Sequence, residues 1–378
     1  MFKWVQSGLS AVAGTAEPEY GREAVQTVID SIGENDEVYQ ETTVQDFAWK
    51  SPDYTNVETQ TFYFTCLKTG IVGFAQVIHS NLMGVHTTAQ FTFRLFNHHN
   101  GKPIEENIWT STKLEDFRTE GSNFYAQGLS IELSEDNLTY TLKSSVNPDS
   151  IVELTVSRLV PGVIFGKDGT THYGEDALNP WGSMRHLFWP RCKVNGTIKS
   201  GDKVIEIEGL TMFVMALQGM KPHHAAKAWN FLNFQSENYS AVQMEFTTPP
   251  SYGNTKVNIG ILTSNDKILT CSINNDVLHL EPTIDEVGWP VPKAIEFKYN
   301  GDKSSDPSVK ASVKGDLEVL VERVDVMAEI PQFVKNIVSG VSGAKPFIYQ
   351  FCNDFEVEVE GKSSEKGIAF NEATFISE

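Results

Sequence analysis

The sequence predicts a mainly β protein, two β-rich units of similar length preceded by an amphipathic helix. Three observations carry that reading. From about residue 59 onward apolar residues recur with period two, as half-buried strands require. Phe91, Phe93 and Leu95 alternate with Thr92 and Arg94, Ile205 and Ile207 with Glu206 and Glu208, and Phe355, Val357 and Val359 with Glu356 and Glu358. Turn-forming pairs such as Asn100-Gly101, Asn195-Gly196 and Asn300-Gly301 separate these runs. The opening sixteen residues instead follow the helical period.

Drawn as a helix, Met1, Phe2, Val5, Leu9, Val12, Ala13 and Ala16 fall within an arc of roughly 120°, with Trp4 at its border. Lys3, Gln6, Ser7, Ser10 and Gly14 take the other side, and Pro18 stops the helix. Such a segment lies in a membrane interface, and residues 1–18 are assigned to membrane contact through Met1, Phe2, Trp4, Val5, Leu9 and Val12. Residues 19–58 are expected to form a short helix over 21–33 and then an acidic tether. Residues 59–221 and 222–378 form the two β units. Gly219, Pro222 and the Ala225-Ala226-Lys227-Ala228 run interrupt the strand pattern between them, and a second helical interruption is expected over 331–338.

The 378 residues carry 30 basic and 49 acidic side chains, a formal charge of −19. That balance excludes nucleic acid as a partner, because phosphates demand clustered Lys and Arg. It also leaves membrane affinity to inserted apolar side chains rather than to charge. The four cysteines are widely spaced and the opening segment is a poor signal peptide, so reduced thiols in a cytosolic protein are expected. The longest apolar runs fall short of the ~18 residues that cross a bilayer. Adjacent histidines at 98–99 and 223–224 lack neighbouring Cys or carboxylate at ligand spacing, so no metal or other cofactor is assigned. Neither a phosphate-binding glycine loop nor a GxSxG nucleophile is present in the sequence.

One segment stands apart: Asn179-Pro-Trp-Gly-Ser-Met-Arg-His-Leu-Phe-Trp-Pro-Arg-Cys192. Trp181 and Trp189 each offer a large apolar face and one N–H in need of a partner. Arg185 and Arg191 have the geometry to stack on those rings or to anchor carboxylates. Pro190 within an apparent strand predicts an edge or a bulge. An aromatic-rich edge strand at the unit junction and a ligand-contacting strand are both consistent with this pattern. The Phe-rich face of Phe62, Phe64, Phe91, Phe93 and Phe96 fits a lined cavity as well as a packed core.

This segment, the opening residues 1–20 and Pro222-His-His-Ala-Ala226 together resemble the fungal survival factor family, essentially end to end. The resemblance implies two tandem lipocalin-like antiparallel β-barrels, related to the AttH and carotenoid hydratase group. It further implies survival under oxidative stress and non-enzymatic carriage of ceramide or a related lipid from endoplasmic reticulum to cis-Golgi. The protein would then be cytoplasmic, peripherally bound to both membranes through its first helix, and also nuclear. On that reading Trp181, Phe188 and Trp189 frame the cavity or the junction, and Arg185 and His186 meet the lipid head. The Met1-Phe2 start also resembles substrates of N-terminal acetylation, which would ease burial of that end. Two other classes fit less well. A hydratase acting on a long apolar substrate would need a buried acid, with His172, Asp176, Arg185 and His186 as candidates, and a ligand-free stress scaffold would need none.

Overall fold

The computed structural model describes residues 20–33, 36–82, 84, 86–98, 107–176, 179–220, 222–301, 309–329 and 345–377. The expected membrane helix over 1–18 and the interruption over 331–338 lie outside the described residues. Within them, strands dominate and every strand pair is antiparallel.

A 15-stranded sheet takes up the first part of the chain. Its main path runs from Ile108–Lys113 through His86–Asn97, Ile71–Leu82 and Asn56–Cys66 to Lys203–Gln218 and Gly182–Ser200. From there it continues through Ile151–Arg158, Thr139–Ser144 and Leu129–Leu133 to the short strands Asn123–Ala126 and Arg118–Glu120. The sheet curls around one apolar interior. Phe62, Phe64, Phe91 and Phe93 all point into it, so packed core is their role. Phe96, one residue out of step with that alternation, lies on the opposite face beside Phe370.

The second part of the chain forms a 10-stranded sheet that begins at Ala228–Ser236 and ends at Glu365–Phe375, two strands that pair with each other. Between the sheets the chain makes a single helical turn, Pro222–Ala225.

Three expectations need correction. Residues 21–33 are not a helix: Arg22–Ala24 is one 3-10 turn and Val25–Gln26 pairs with Thr170–Tyr173. Val25 and Val28 are buried against that strand pair, which overrides the helical spacing. The acidic tether is also structured, since Tyr39–Glu41 pairs with Val163–Phe165 and Val44–Phe47 delivers Phe47 into the first core. Finally, Asn195-Gly196 is no turn but lies inside the strand Gly182–Ser200. A Cβ on Gly196 would meet the Glu153 carbonyl oxygen at 1.9 Å, so glycine there permits close strand approach.

The strand Gly182–Ser200 is central rather than an edge, flanked by Lys203–Gln218 and by Ile151–Arg158. Its register slips between Trp189 and Cys192, the bulge that Pro190 predicted. Trp189, Cys192 and Val194 all face the first core. The slip therefore aims Arg191 the other way, into the second unit. There its Nη1 donates to Ser240 Oγ at 2.7 Å and its Nη2 to the Glu237 carbonyl at 2.8 Å, with Asn265 Oδ1 and the Ser236 carbonyl also accepting. Burial pushes the Arg191 pKa down to about 10. Around it the seam is aromatic, with Tyr63 packed on Phe74, Phe231 and Phe370. Arg94–Glu322 at 2.7 Å and His98–Asp354 at 2.9 Å close its rim.

Replacing Arg191 with Ala takes the donor from two backbone carbonyls, a hydroxyl and an amide oxygen in the seam. The expected loss is on the order of 2–4 kcal/mol of unfolding free energy, read from urea denaturation. An unchanged urea midpoint would show that the seam does not depend on this residue.

Candidate lipid-binding interior

The five residues expected to frame a ligand do not converge. Trp189 is wholly buried in the first core against Tyr140 and Phe213. Phe188, its neighbour on the strand, faces the seam instead. Trp181 stays 46% exposed, its Nε1 donating to Tyr252 Oη at 2.8 Å and its ring 5.0 Å from Tyr20. Arg185 is bound to the Asp168 and Asp46 carbonyls at 2.9 and 3.0 Å. Burial and the adjacent Arg185 cation push His186 down to about 4, so it is neutral at pH 7. Among the candidate acids, Asp176 sits at the surface and accepts from Asn179. These positions join the first core, the seam and the surface rather than one chamber.

The interiors of the two units differ in kind. In the first, Phe62, Phe213, Tyr140 and Trp189 stack at centroid distances of 4.6–5.6 Å, the arrangement of a filled core. The second is also lined by rings, with Phe234, Phe297, Tyr299 and Phe355 in its main cluster and Trp289, Tyr349, Phe351 and Phe375 in another. Ala241 and Ala369 lie in its main cluster and Ala373 in a separate aromatic one. Gly260 gives way to Tyr299, whose Cε1 would sit 2.8 Å from any Cβ added there.

Between those two clusters runs a polar layer that the strand register explains. Asn258, Glu245, Asn230, Ala373 and Tyr349 lie opposite one another on five adjacent strands. One step deeper, Gly260, Gln243, Leu232, Asn371 and Phe351 form a second row. Both rows point inward because residues two apart share a face. Asn258 Nδ2 donates to Glu245 Oε2 at 2.8 Å and Asn230 Nδ2 to Oε1 at 3.3 Å, while Lys256 Nζ lies 2.9 Å from Oε2. His279 Nε2 approaches Asn230 Oδ1 at 2.7 Å, and burial pushes the His279 pKa below its ordinary value. Gln243 Nε2 donates to Asn258 Oδ1 at 3.1 Å. Gln243 Oε1 and both side-chain polar atoms of Asn371 have no hydrogen-bond partner.

An aromatic stack lies beyond this layer. Phe375 touches His279, Tyr349 and Trp289, the last in parallel at 5.4 Å. Trp289 is carried by the hairpin Thr283–Ile284/Pro290–Val291, whose Ile284 is 70% exposed. Asp285 builds that hairpin: its Oδ1 accepts from the N–H groups of Val287, Gly288 and Trp289, each at 3.0 Å. Its Oδ2 accepts from the Tyr349 hydroxyl and lies 3.7 Å from Arg323 Nη1, which clasps the hairpin to the sheet. Elsewhere, clefts of about 620 and 370 Å³ open on the second unit. Lys298, Lys310 and Glu358 line the larger, a mainly polar wall, whereas the smaller sets Lys314, Glu356 and Lys366 around Leu280, Ile295 and Phe355.

The sequence reading missed this layer because its residues come from strands as far apart as 230 and 371. Only register brings them together. The legible signal was an Asn in step with inward apolar residues, as Asn230 is with Leu232 and Phe234.

The family model described as the Svf1 family matches residues 2–377. Along the whole chain there is 73% identity to a Debaryomyces hansenii protein and 64% to one from Candida albicans, each named ceramide-binding protein SVF1 and covered over 100% of its length. A Neurospora crassa relative of the same name is 46% identical, again over the whole of both chains. Among solved structures, an AttH-like protein from Nitrosomonas europaea superimposes with a TM-score of 0.58 at 11% identity, over 88% of this chain and 96% of its own. Kievitone hydratase from Nectria haematococca does so with 0.52 at 15%, over 95% and 98%. At these identities the likenesses show a shared lipocalin-like fold.

Burial pushes the Asp285 carboxyl up, but the Tyr349 hydroxyl and the N–H groups of Trp289, Val287 and Gly288 outweigh it and hold it below its ordinary 3.8. The clasp is then intact at neutral pH and is lost as pH falls through that depressed value. Hydrogen exchange over residues 281–293, corrected for the intrinsic rate, should show protection that collapses below about pH 4. Asp285→Ala should lower the protection at pH 7 by on the order of tenfold.

Proposed function

The chain belongs to the Svf1 family, and on that premise we propose that it binds ceramide without chemical conversion and carries it between membranes. The observation that supports this best is the name shared by relatives 73% and 64% identical across the full length. Kievitone hydratase shares the fold at 15% identity, which transfers no activity.

The energetics set what a carrier must do. A two-chain lipid with ~30 methylenes would need on the order of 20 kcal/mol to leave a bilayer unaided, at ~0.8 kcal/mol per CH₂. Protein surface has to offset most of that. The apolar cluster of the second unit and the Trp289–Phe375 stack offer apolar surface behind a clasped hairpin. The filled aromatic core of the first unit serves as the rigid half.

Membrane contact falls to residues 1–16. Burying Phe2, Val5, Leu9 and Val12 contributes at most ~1.5–3 kcal/mol each, and ordering the segment subtracts from it, so attachment is reversible. Tyr20, pinned by its N–H to the Ser251 carbonyl at 2.8 Å, sets where this segment joins the body, beside Trp181 and Tyr252. The route we assign is from endoplasmic reticulum to cis-Golgi, with survival under oxidative stress following from sphingolipid supply.

Mass spectrometry of lipid extracted from natively purified protein should find ceramide near one molecule per chain. A lipid-free preparation that also fails to take up ceramide would refute the carrier. Phe2→Asp with Val5→Asp should weaken liposome binding on the order of a hundredfold, a loss of about 3 kcal/mol, while leaving the β circular dichroism unchanged. Persistent binding would assign membrane contact elsewhere.

A further inference from the structure

We infer that the inner amide row of the second unit holds the polar head of the carried lipid, and that Glu245 at its rim restricts that head to one without phosphate. This deepens the carrier reading and rests on it. Asn371 is fully buried, yet its Nδ2 and Oδ1 both lack a partner, as does Gln243 Oε1 across Leu232 in the same row. A buried amide left unpaired costs free energy that a leucine in its place would not. Two donor hydrogens and two acceptors converging on one inward row match a ligand that presents both kinds of group. The head of a ceramide does so, with one amide and two hydroxyls. Ala369 and Ala373 flank Asn371 on its strand, so the approach to its amide is lined by methyl groups.

Charge supplies the selectivity. Within the rows described, the one carboxylate is Glu245, and Lys256, the cation beside it, is already ion-paired to that carboxylate at 2.9 Å. His279 faces Asn230 and is neutral at pH 7. A phosphate head would therefore meet a carboxylate and no unpaired cation, in surroundings that strengthen the repulsion. Amide and hydroxyl groups meet no such barrier.

The test uses the full chain with fluorescent short-chain ceramide and ceramide 1-phosphate as probes. Asn371→Leu, close in volume, should weaken ceramide binding at least tenfold while the unliganded protein melts no lower than wild type. Glu245→Gln should narrow the preference for ceramide over ceramide 1-phosphate at least fivefold. Wild-type affinity in Asn371→Leu, or an unchanged preference in Glu245→Gln, overturns the placement while leaving the carrier standing. If Asn371→Leu does not fold, ceramide bearing a photoreactive group at its head decides on the wild-type chain. Adducts on residues 228–263 or 365–375 support the placement, and adducts confined to residues 56–218 overturn it. Failure of the wild type to bind ceramide at all removes the carrier reading itself.

Discussion

The relation between the two units hangs on one buried cation. Arg191 is 1% exposed, and every hydrogen bond it makes goes to a carbonyl, a hydroxyl or an amide rather than to a carboxylate. Removing a guanidinium from water is costly, and only dense hydrogen bonding offsets that cost when no counter-ion is in contact. The acceptors come from residues 236–240 and 265, loops at one end of the second sheet. Wrong register on either side would leave the charge stranded, so the residue selects one docking geometry. Pro190 makes this possible, because the bulge turns a side chain that strand alternation would have sent into the first core.

With docking fixed from the first unit, the two interiors are free to differ. The first is a continuous apolar core in which rings pack on one another, as close-packed interiors do. The second carries a carboxylate, several amides and a histidine between two apolar clusters. Such a layer lowers stability compared with leucines of the same volume. Its members are mostly paired with one another, which fixes their orientation, and the unpaired remainder lies together on Gln243 and Asn371. Pre-oriented polar groups beside adaptable apolar walls are what lipid-head recognition requires.

How far the sequence foretold this depends on the range of each signal. Alternation along a single strand is local, so the β class and the inward set of Phe62, Phe64, Phe91 and Phe93 were legible. Pro190 announced its bulge for the same reason, through a missing N–H. Residues 21–33 misled because Val25 and Val28 satisfy helical spacing as well as a turn packed on Thr170–Tyr173. Trp181, Phe188 and Trp189 looked like one site because they are close in sequence, but alternation and the strand's start send them to three environments. The amide rows could not be assembled from the sequence, even where single inward amides such as Asn230 were visible. Their partners are set by pairings such as Asn230 with Glu245 and Leu232 with Asn371, which no single stretch encodes.

The cysteines bear on the proposed link to survival under oxidative stress. All four are buried free thiols, and burial pushes the pKa of each up, that of Cys66 to about 11. Oxidants react with the thiolate, which these sites disfavour, and access is closed as well. A protein whose own sulfur is withdrawn from redox chemistry is a poor sensor or scavenger. Any protective effect then has to pass through what the protein holds or moves. The polar layer under the Asp285 hairpin, with its unpartnered Gln243 and Asn371 amide atoms, is where the proposed lipid head would supply that route.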